Sequence, residues 1–318
     1  MHHKTRTSLC NGGLLALLAM FVVGLFALVW SGDPSPRLPG APLPPSVAVA
    51  HGSLPPVTYT IRQSETRDAQ KLSAAFDRIG FDLDAVSQGY ISVPRVLLAS
   101  LPPDLDRLDA MDARRVLFLK TLLPVVLHVN AEIGADRQRL LVMRARMARG
   151  EQLTAEDVQW VLALADAYDQ PDADIDALLK KVDVIPPSLA LAQAIEESGW
   201  GTSRIAREQN AIFGQFGQSS SGDWDYRNFA SLSEAVTAYA HNLNTHRAYR
   251  EFRAARARMR TEQGGIDAVD LAGTLHRYSE RGDDYVSSLR SIIHANDLEA
   301  FDRARLNLTS AATILASK

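Results

Sequence analysis

Apolar positions downstream of Ser64 recur every three or four residues, the spacing of a helix that buries one face. The first such segment stops at Gly80, and its apolar positions are Leu72, Ala75, Phe76 and Ile79. A second apolar run, Val116–Ile133, contains Pro124, which is expected to kink or break a helix. A third helix is predicted to begin at Thr154, with an apolar face formed by Val158, Val161, Leu162 and Ala165.

Two further helices are marked by their start signals. Pro186 and Pro187 favour the start of a helix that runs to the adjacent acids Glu196 and Glu197. A capping box at Ser231 predicts another helix, whose N3 residue is Glu234 and whose buried stripe is Leu232, Ala235, Val236, Tyr239 and Leu243. Residues 213–229 mix glycine, serine and aromatics, as a small hairpin or loop does. We therefore predict a mainly α chain with one small irregular or β insert.

The N-terminus has a different pattern, because Gly13–Trp30 is apolar throughout. A helix of about 18 residues just spans a hydrocarbon core of about 30 Å. Since Lys4 and Arg6 precede the run, the positive-inside rule predicts residues 1–12 in the cytoplasm, a single transmembrane helix over residues 13–30, and the rest across the membrane. A cleaved signal peptide is the alternative, but the A-x-A pattern at Ala48–Ala50 lies far beyond the usual cleavage distance.

Composition then divides the rest of the chain. Asp33–Pro56 holds eight of the fifteen prolines, and such a segment stays extended. We predict a Pro-rich linker over residues 31–63, a helical region over residues 64–183, and a second domain over residues 184–310. The whole chain has 46% hydrophobic and 22% charged residues with a net charge of −3, which argues against nucleic acid as the main partner.

Several familiar kinds of site are not indicated. Asp172, Asp174, Asp176 and Asp183 are spaced like the ligands of a calcium loop, but Ala177 stands where that loop needs glycine, so helix capping and a solvated turn are the better interpretation. The histidines form no zinc motif, and with one cysteine no thiolate site or disulfide is expected. No nucleophile elbow, P-loop or dinucleotide fingerprint is present. We predict neither a metal nor a cofactor.

Arg247–Arg260 is strongly basic, with four arginines spaced by three: Arg247, Arg250, Arg253 and Arg256. The simplest interpretation is a solvated helix face. The alternative is an electrostatic contact with an anionic polymer.

The strongest candidate chemistry lies at the predicted helix end, where Glu196 and Glu197 precede Ser-Gly-Trp-Gly. A carboxyl in the last turn of a helix meets the negative end of the macrodipole, and apolar packing further penalises its charge. Such an acid can keep its proton near neutral pH, as glycoside hydrolysis requires of the proton donor. Gly199 and Gly201 would let the backbone turn and clear a cleft. A helix that simply ends in acids is the structural alternative.

Three stretches together resemble the glucosaminidase domain of glycoside hydrolase family 73, and more specifically its bacterial Bax-type members. They are LAQAIEESGWGTSRIAREQNAIFGQFG at 191–217, AYAHNLNTHRAYREFRAARARMR at 238–260 and LHRYSERGDDYVSSLRSII at 275–293. The resemblance implies a lysozyme-like α-rich domain that cleaves the β-1,4 bond after N-acetylglucosamine in peptidoglycan. It implies that Glu197 is the general acid and Glu196 a neighbour about 100° round the helix. It also assigns Tyr278 to the active site.

The resemblance further implies that Asn210, Phe213 and Gly214 line the cleft. The aromatics Phe216, Trp224 and Tyr226 are candidate sugar contacts, as is Tyr239. The short insert lacks the second glutamate that family members often carry, so only Asp223 and Asp225 offer a base. Three mechanisms stay open: water activation by one of these acids, attack by the substrate's own acetamido group, or a lytic elimination that needs one acid.

We thus predict a peptidoglycan hydrolase, an endo-β-N-acetylglucosaminidase, held by its N-terminal helix in the bacterial inner membrane with its catalytic domain in the periplasm. Its partners are peptidoglycan glycan strands and that membrane. A lytic transglycosylase on the same fold is one alternative. A catalytically silent peptidoglycan-binding or scaffolding protein is the other.

Overall fold

The computed structural model describes residues 58–218, 224–309 and 311–315. The predicted anchor at residues 13–30 and the linker up to residue 57 lie outside the described residues, as does Asp223. The helices in chain order are α1 (Ala69–Arg78), α2 (Leu83–Ser87), α3 (Met111–Ala148), α4 (Ala155–Ala167), α5 (Ile175–Lys181), α6 (Pro187–Ser198), α7 (Arg204–Gln209), α8 (Leu232–Thr245), α9 (Arg250–Glu262), α10 (Ala268–Ala272) and α11 (Asp283–Ala295). Short 3-10 helices cover Leu105–Arg107, Arg247–Tyr249 and Leu298–Arg303. The prediction of a mainly α chain is confirmed.

The strands form two small pairs. Strands β1 (Thr58–Arg62) and β4 (Ala311–Leu315) are parallel and join the two ends of the described chain. Strand β1 begins inside the range predicted as linker. Strands β2 (Phe216–Gln218) and β3 (Trp224–Tyr226) are antiparallel, with Phe216 opposite Tyr226, as expected for the predicted hairpin.

Helix α3 is the central element, and it packs against α1, α5, α6 and α8. It runs unbroken for 38 residues through Pro124, so the prediction of a break there is wrong. A proline removes one backbone hydrogen bond, but here the flanking Leu122, Leu123, Val125 and Val126 are all buried, and their packing maintains the helix. Helix α3 is long and apolar enough to cross a membrane, yet 72% of its most apolar window is buried inside the protein, as in a core helix.

Helix α4 begins at the predicted Thr154, whose side chain and that of Asp157 form a reciprocal capping box. Its buried face is rotated from the predicted one, because it centres on Trp160 and Leu164. Val158 and Leu162 are instead 42% and 49% exposed. Apolar residues lie on two sides of this helix, and the large Trp160 ring, covered by the Arg139 guanidinium at 4.3 Å, occupies the inner side.

The start and the buried stripe of helix α8 agree with the sequence pattern. Ser231 accepts a hydrogen bond from the backbone N–H of Glu234, as a cap does. The Glu234 carboxylate reaches one residue further than a capping box requires and accepts from the N–H of Ala230 at 2.7 Å. All five predicted stripe residues are buried.

The basic helix α9 does not present a solvated row of arginines. Arg253 is 7% exposed and Arg256 is fully buried, so the interpretation as a solvated face is wrong for these two residues. Arg256 donates to the backbone oxygens of Asp183 and Val184 and to Oδ1 of Asn244. The two backbone oxygens lie in the segment that follows α5, and Nδ2 of Asn244 also donates to the Asp183 oxygen, so the arginine is a structural donor to buried carbonyls.

Asp183, predicted to lie in a solvated turn, is the buried centre of this arginine cluster. Its carboxylate pairs with Arg260 through two contacts of 2.6 Å and with Arg137 at 3.3 Å. It also lies 3.8 Å from Nε of Arg256. Asp174 behaves as the capping interpretation predicted, since it accepts from the N–H of Asp176 at the start of α5. The spacing of the acids therefore reflects one helix cap and one buried ion-pair cluster.

Neutralising Asp183 is expected to destabilise the fold. Asp183→Asn keeps the shape but leaves the buried Arg256 without a counter-ion, so the free energy of unfolding should fall by about 3 kcal/mol or more. Urea denaturation measures this, with the exposed Asp172→Asn as the matched control, expected to change by less than about 0.5 kcal/mol. Equal effects of the two substitutions would contradict the role of the cluster.

Candidate active site

Helix α6, which carries Glu196 and Glu197, is fixed at its start by a group remote in sequence. Pro187 occupies the first turn, and the backbone N–H and hydroxyl of Ser188 donate to the Asp302 carboxylate at 2.8 and 2.7 Å. The carboxylate therefore caps orphan donors of the helix N-terminus. All residues from Pro187 to Ile195 are buried. The 3-10 segment that contains Asp302 thus sets where the helix begins.

The other end of α6 is a backbone corner. Gly199, Trp200 and Gly201 all have positive φ angles, of 58°, 59° and 73°. The N–H of Gly201 donates to the Ser198 hydroxyl at 2.9 Å. A Cβ at Gly201 would lie 2.7 Å from Leu101 and 2.9 Å from Phe118, so this glycine packs directly against the preceding helical region. The corner turns the chain as expected and also fixes the helix end to α3.

The glycine that makes room for the acid is Gly214. Its φ is +62°, and a Cβ built there would lie only 2.7 Å from Oε2 of Glu197. The Phe213-Gly214 segment therefore lies against the carboxyl group. Asn210, in the left-handed conformation with φ 54°, donates to the Phe229 carbonyl at 3.0 Å and ties this segment to the chain after the hairpin.

Burial is the largest influence on the Glu197 carboxyl, and it raises the pKa to about 7. The residue as a whole is partly exposed, but its carboxyl group is surrounded by protein. A hydrogen bond from Tyr285 and the charge of Arg281 lower the pKa, whereas the charge of Glu196 raises it. A carboxyl with this pKa is still protonated in a substantial share of molecules at neutral pH.

Glu196 points to a different neighbour, as its position about 100° round the helix predicted. Its carboxylate accepts a hydrogen bond from Arg281 and another from the Ser288 hydroxyl at 2.8 Å. Glu196 is therefore held by an ion pair with Arg281, in the loop before α11, and by a hydrogen bond from Ser288 on α11.

Tyrosines surround Glu197. Its charge raises the pKa of Tyr226, Tyr249, Tyr278 and Tyr285, together with burial, which is the larger cause for each. The Tyr278 hydroxyl donates to the Phe213 carbonyl at 3.1 Å, and its ring stacks on Tyr285 with centroids 5.5 Å apart. Tyr278 therefore lies near the acid and is bonded to the segment that carries Gly214.

Sequence reasoning missed the roles of Tyr249, Tyr285 and Gln193. The Gln193 side chain bonds to the hydroxyls of both Tyr285 and Tyr239. Gln193 stands four residues before Glu197 on α6, and this helical spacing was a usable signal. Tyr285 on α11 lies in the stretch 275–293 that carries the family resemblance, but no role is predicted for it from the sequence.

The other predicted contact residues divide by burial. Phe213 and Tyr239 are buried and stacked on each other, with centroids 3.8 Å apart, so their rings form the support behind the site. On the hairpin, Phe216 is buried with its ring edge-on to the half-buried Tyr226 at 5.1 Å.

The hairpin also carries the predicted acids. Asp225 is exposed, and its carboxylate accepts from the N–H of Tyr226. The charges of Asp225 and Glu197 both act on the Tyr226 hydroxyl. Trp224 lies on β3, but its side chain, like the whole of Asp223, is outside the described part. Within the described ranges, no group of three or more histidine, cysteine or acidic side chains is arranged to hold a metal.

These features coincide with a matching protein family. Residues 173–298 match the family described as Glucosaminidase: Mannosyl-glycoprotein endo-beta-N-acetylglucosaminidase, and this range contains α6, the hairpin and the tyrosine cluster. The chain is also 32% identical over 202 residues to Protein bax of Escherichia coli (strain K12), a match that covers 61% of this chain and 74% of that protein. The chain belongs to this Bax family of glucosaminidase-domain proteins, which confirms the resemblance.

One solved structure is also similar, the catalytic domain of the autolysin Auto from Listeria monocytogenes. The sequence identity is 19%, and the match covers 44% of this chain and 80% of that one. The TM-score is 0.27, which is too low to carry an argument about fold or function.

The contact between Gly214 and Glu197 can be tested by Gly214→Ala. The added methyl should push the carboxyl toward water, so the pKa of Glu197 should fall from about 7 toward its ordinary value. Titration followed by carboxyl ¹³C NMR measures this.

Gly264→Ala is the matched control, since Gly264 has φ +72° and nothing within 4 Å of an added Cβ. Both substitutions should cost about 1 to 2 kcal/mol of stability from left-handed backbone strain. An unchanged pKa of Glu197 in Gly214→Ala would contradict the close contact.

Proposed function

We propose that this protein hydrolyses peptidoglycan, cleaving the β-1,4 bond after N-acetylglucosamine with Glu197 as the proton donor. The observation that carries the proposal is a carboxyl whose pKa burial raises to about 7, on a partly exposed residue at the end of α6, inside the range that matches the glucosaminidase family. The leaving oxygen of a glycoside must receive a proton as its bond breaks. A carboxyl that is still partly protonated at neutral pH meets that need.

The neighbouring groups support this chemistry. As the proton leaves, Glu197 becomes a carboxylate, and its hydrogen bond with Tyr285 then becomes charge-assisted and stronger. Tyr278, held by the Phe213 carbonyl, fixes the segment that carries Gly214 beside the acid. Tyr226, half-buried on the hairpin, offers a ring to the sugar.

After the proton transfer, the reaction also needs a group that attacks the sugar or activates water. Glu196 and Arg281 are the charged groups that act on the pKa of Glu197, and they are paired with each other. In the described part of the chain no further carboxylate affects Glu197, which favours attack by the substrate's acetamido group. Asp225 on the exposed hairpin is the alternative base, and Asp223 beside it is a second candidate.

The same observation favours a second candidate function. A lytic transglycosylase needs one acid and releases 1,6-anhydro-muramic ends, whereas a glucosaminidase releases reducing N-acetylglucosamine ends. The substrate would be the same polymer.

The test is mass spectrometry of the sugar ends that the full chain releases from purified peptidoglycan. Glu197→Gln should reduce release by at least about 100-fold, because general acid catalysis is lost. Glu196→Gln is the matched control, since that acid bonds to Arg281 and Ser288, and it should stay within about tenfold.

Each outcome has a distinct meaning. Reducing N-acetylglucosamine ends that vanish in Glu197→Gln support the glucosaminidase. Anhydro-muramic ends would replace it with the transglycosylase. Binding to the polymer with no release of fragments would overturn both in favour of a silent peptidoglycan-binding or scaffolding protein.

We further propose that residues 13–30 hold the protein in the bacterial inner membrane with its folded part in the periplasm. The uninterrupted apolar run and the basic residues before it support this orientation. In cell fractionation the full chain should sediment with membranes and be released by detergent but not by high salt, whereas a chain that lacks residues 1–32 should be released without detergent. Recovery of the full chain in the soluble fraction would contradict the anchor.

A further inference from the structure

A line of buried hydrogen bonds connects helix α8 to the candidate acid. The Tyr239 hydroxyl on α8 donates to Oε1 of Gln193 at 2.7 Å. Nε2 of Gln193 on α6 donates to the Tyr285 hydroxyl oxygen at 3.0 Å. The Tyr285 hydroxyl on α11 in turn lies close enough to the Glu197 carboxyl to lower its pKa by hydrogen bonding. Tyr239, Gln193 and Tyr285 are each exposed by 1% or less, so water does not compete for the hydrogen bonds between them.

Packing holds the two tyrosine rings. Phe213 stacks flat on Tyr239 with an interplanar angle of 4°, and Tyr278 stacks on Tyr285 with an angle of 5°. Gln193 lies one helical turn before Glu197, on the same side of α6. Three helices therefore converge on one hydrogen-bonded line, and none of its members is positioned by a flexible loop.

The order of donors along this line follows from the chemistry of its groups. A hydroxyl has one hydrogen, and an amide has a distinct donor end and acceptor end. Because Tyr239 donates to the Gln193 oxygen, the amide NH₂ faces Tyr285. Because the Tyr285 oxygen accepts that N–H, its own hydrogen is directed to Glu197. Reversal of the amide would draw the Tyr285 hydrogen to Gln193 and leave Glu197 without it.

We propose that Gln193 and Tyr239 are positioning residues for Glu197, and that their fixed order of donor and acceptor keeps the Tyr285 hydroxyl hydrogen on the Glu197 carboxyl. This inference rests on the proposed function for its catalytic meaning. When Glu197 gives its proton to the leaving oxygen, the O–H of Tyr285 stabilises the carboxylate that remains. The line of hydrogen bonds thus stabilises the carboxylate that Glu197 becomes when it gives up its proton.

The direct test is the pKa of Glu197, read by carboxyl ¹³C NMR in the full chain labelled with ¹³C-glutamate. The signal is assigned by its loss in Glu197→Gln. Tyr285→Phe removes the hydrogen bond that lowers the pKa, so the pKa should rise by about half a pH unit or more.

Tyr239→Phe is the milder and more informative variant, because it changes a group that does not touch Glu197. Without its donor the Gln193 amide can reverse, and the pKa of Glu197 should rise in the same direction by a smaller amount. Tyr168→Phe is the matched control, since Tyr168 is a buried tyrosine beside His241, away from this line, and it should leave the pKa unchanged.

Gln193→Glu distinguishes an effect of the order of donors and acceptors on the pKa of Glu197 from an effect of the added charge alone. The new carboxylate can only accept, so it should draw the Tyr285 hydrogen away and raise the pKa of Glu197 strongly. In a Tyr285→Phe background there is no hydrogen to draw away, and the same substitution should raise the pKa less. Equal rises in both backgrounds, or no rise in Tyr239→Phe beyond that of Tyr168→Phe, would overturn the proposal.

The pH dependence of sugar release adds a second readout. Activity should fall as pH rises through the pKa of Glu197, because the proton donor is then ionised, and the variants should move this alkaline limb upward by the same amount as the NMR value. Shifts in pKa in a protein that releases no sugar ends would overturn the proposed function and leave the positioning intact. Normal release with an unmoved pKa would overturn the positioning alone.

Discussion

The burial of one carboxyl at the end of helix α6 is the constraint on which the site depends. Burying an acid that can ionise is costly, and the chain tolerates it because the raised pKa leaves much of Glu197 protonated near neutral pH and because Tyr285 is its partner. Helix α6 must then be held rigidly, since small movements would expose the acid. Asp302 holds its first turn, and the corner at Gly201 holds its last against Phe118.

This requirement explains why the preceding helical region is part of the structure of the site. Helix α3 packs on α6 and α8, which carry Glu197 and Tyr239. Its long apolar face excludes solvent behind helix α6. The burial of Arg256 serves the same architecture, because its donors satisfy backbone oxygens where the chain passes from α5 to α6. Arg256 of the arginine-rich helix α9 therefore stabilises the segment that leads into α6.

The two adjacent acids show how position separates chemical roles. Glu196 faces Arg281 and Ser288 and is paired, whereas Glu197 faces Gly214 and the tyrosines. The rotation of about 100° between neighbours on a helix is enough to place one acid in an ion pair and the other in a site of low polarity. On the hairpin, the exposed Asp225 precedes the half-buried Tyr226, whose hydroxyl is affected by the charges of both Asp225 and Glu197.

The amino-acid sequence by itself determined the helical class, the starts of α4, α6 and α8, and the hairpin, because caps, periodicity and turn residues are local signals. It also indicated the glucosaminidase family, since its motifs keep their order and spacing. Tertiary structure decided that Pro124 lies within a continuous helix, that Trp160 faces inward, and that Arg253 and Arg256 are buried. It also decided the parallel pairing of β1 with β4 and the line through Gln193. These outcomes depend on which groups from distant segments share a dry interior, and no local pattern encodes such partners.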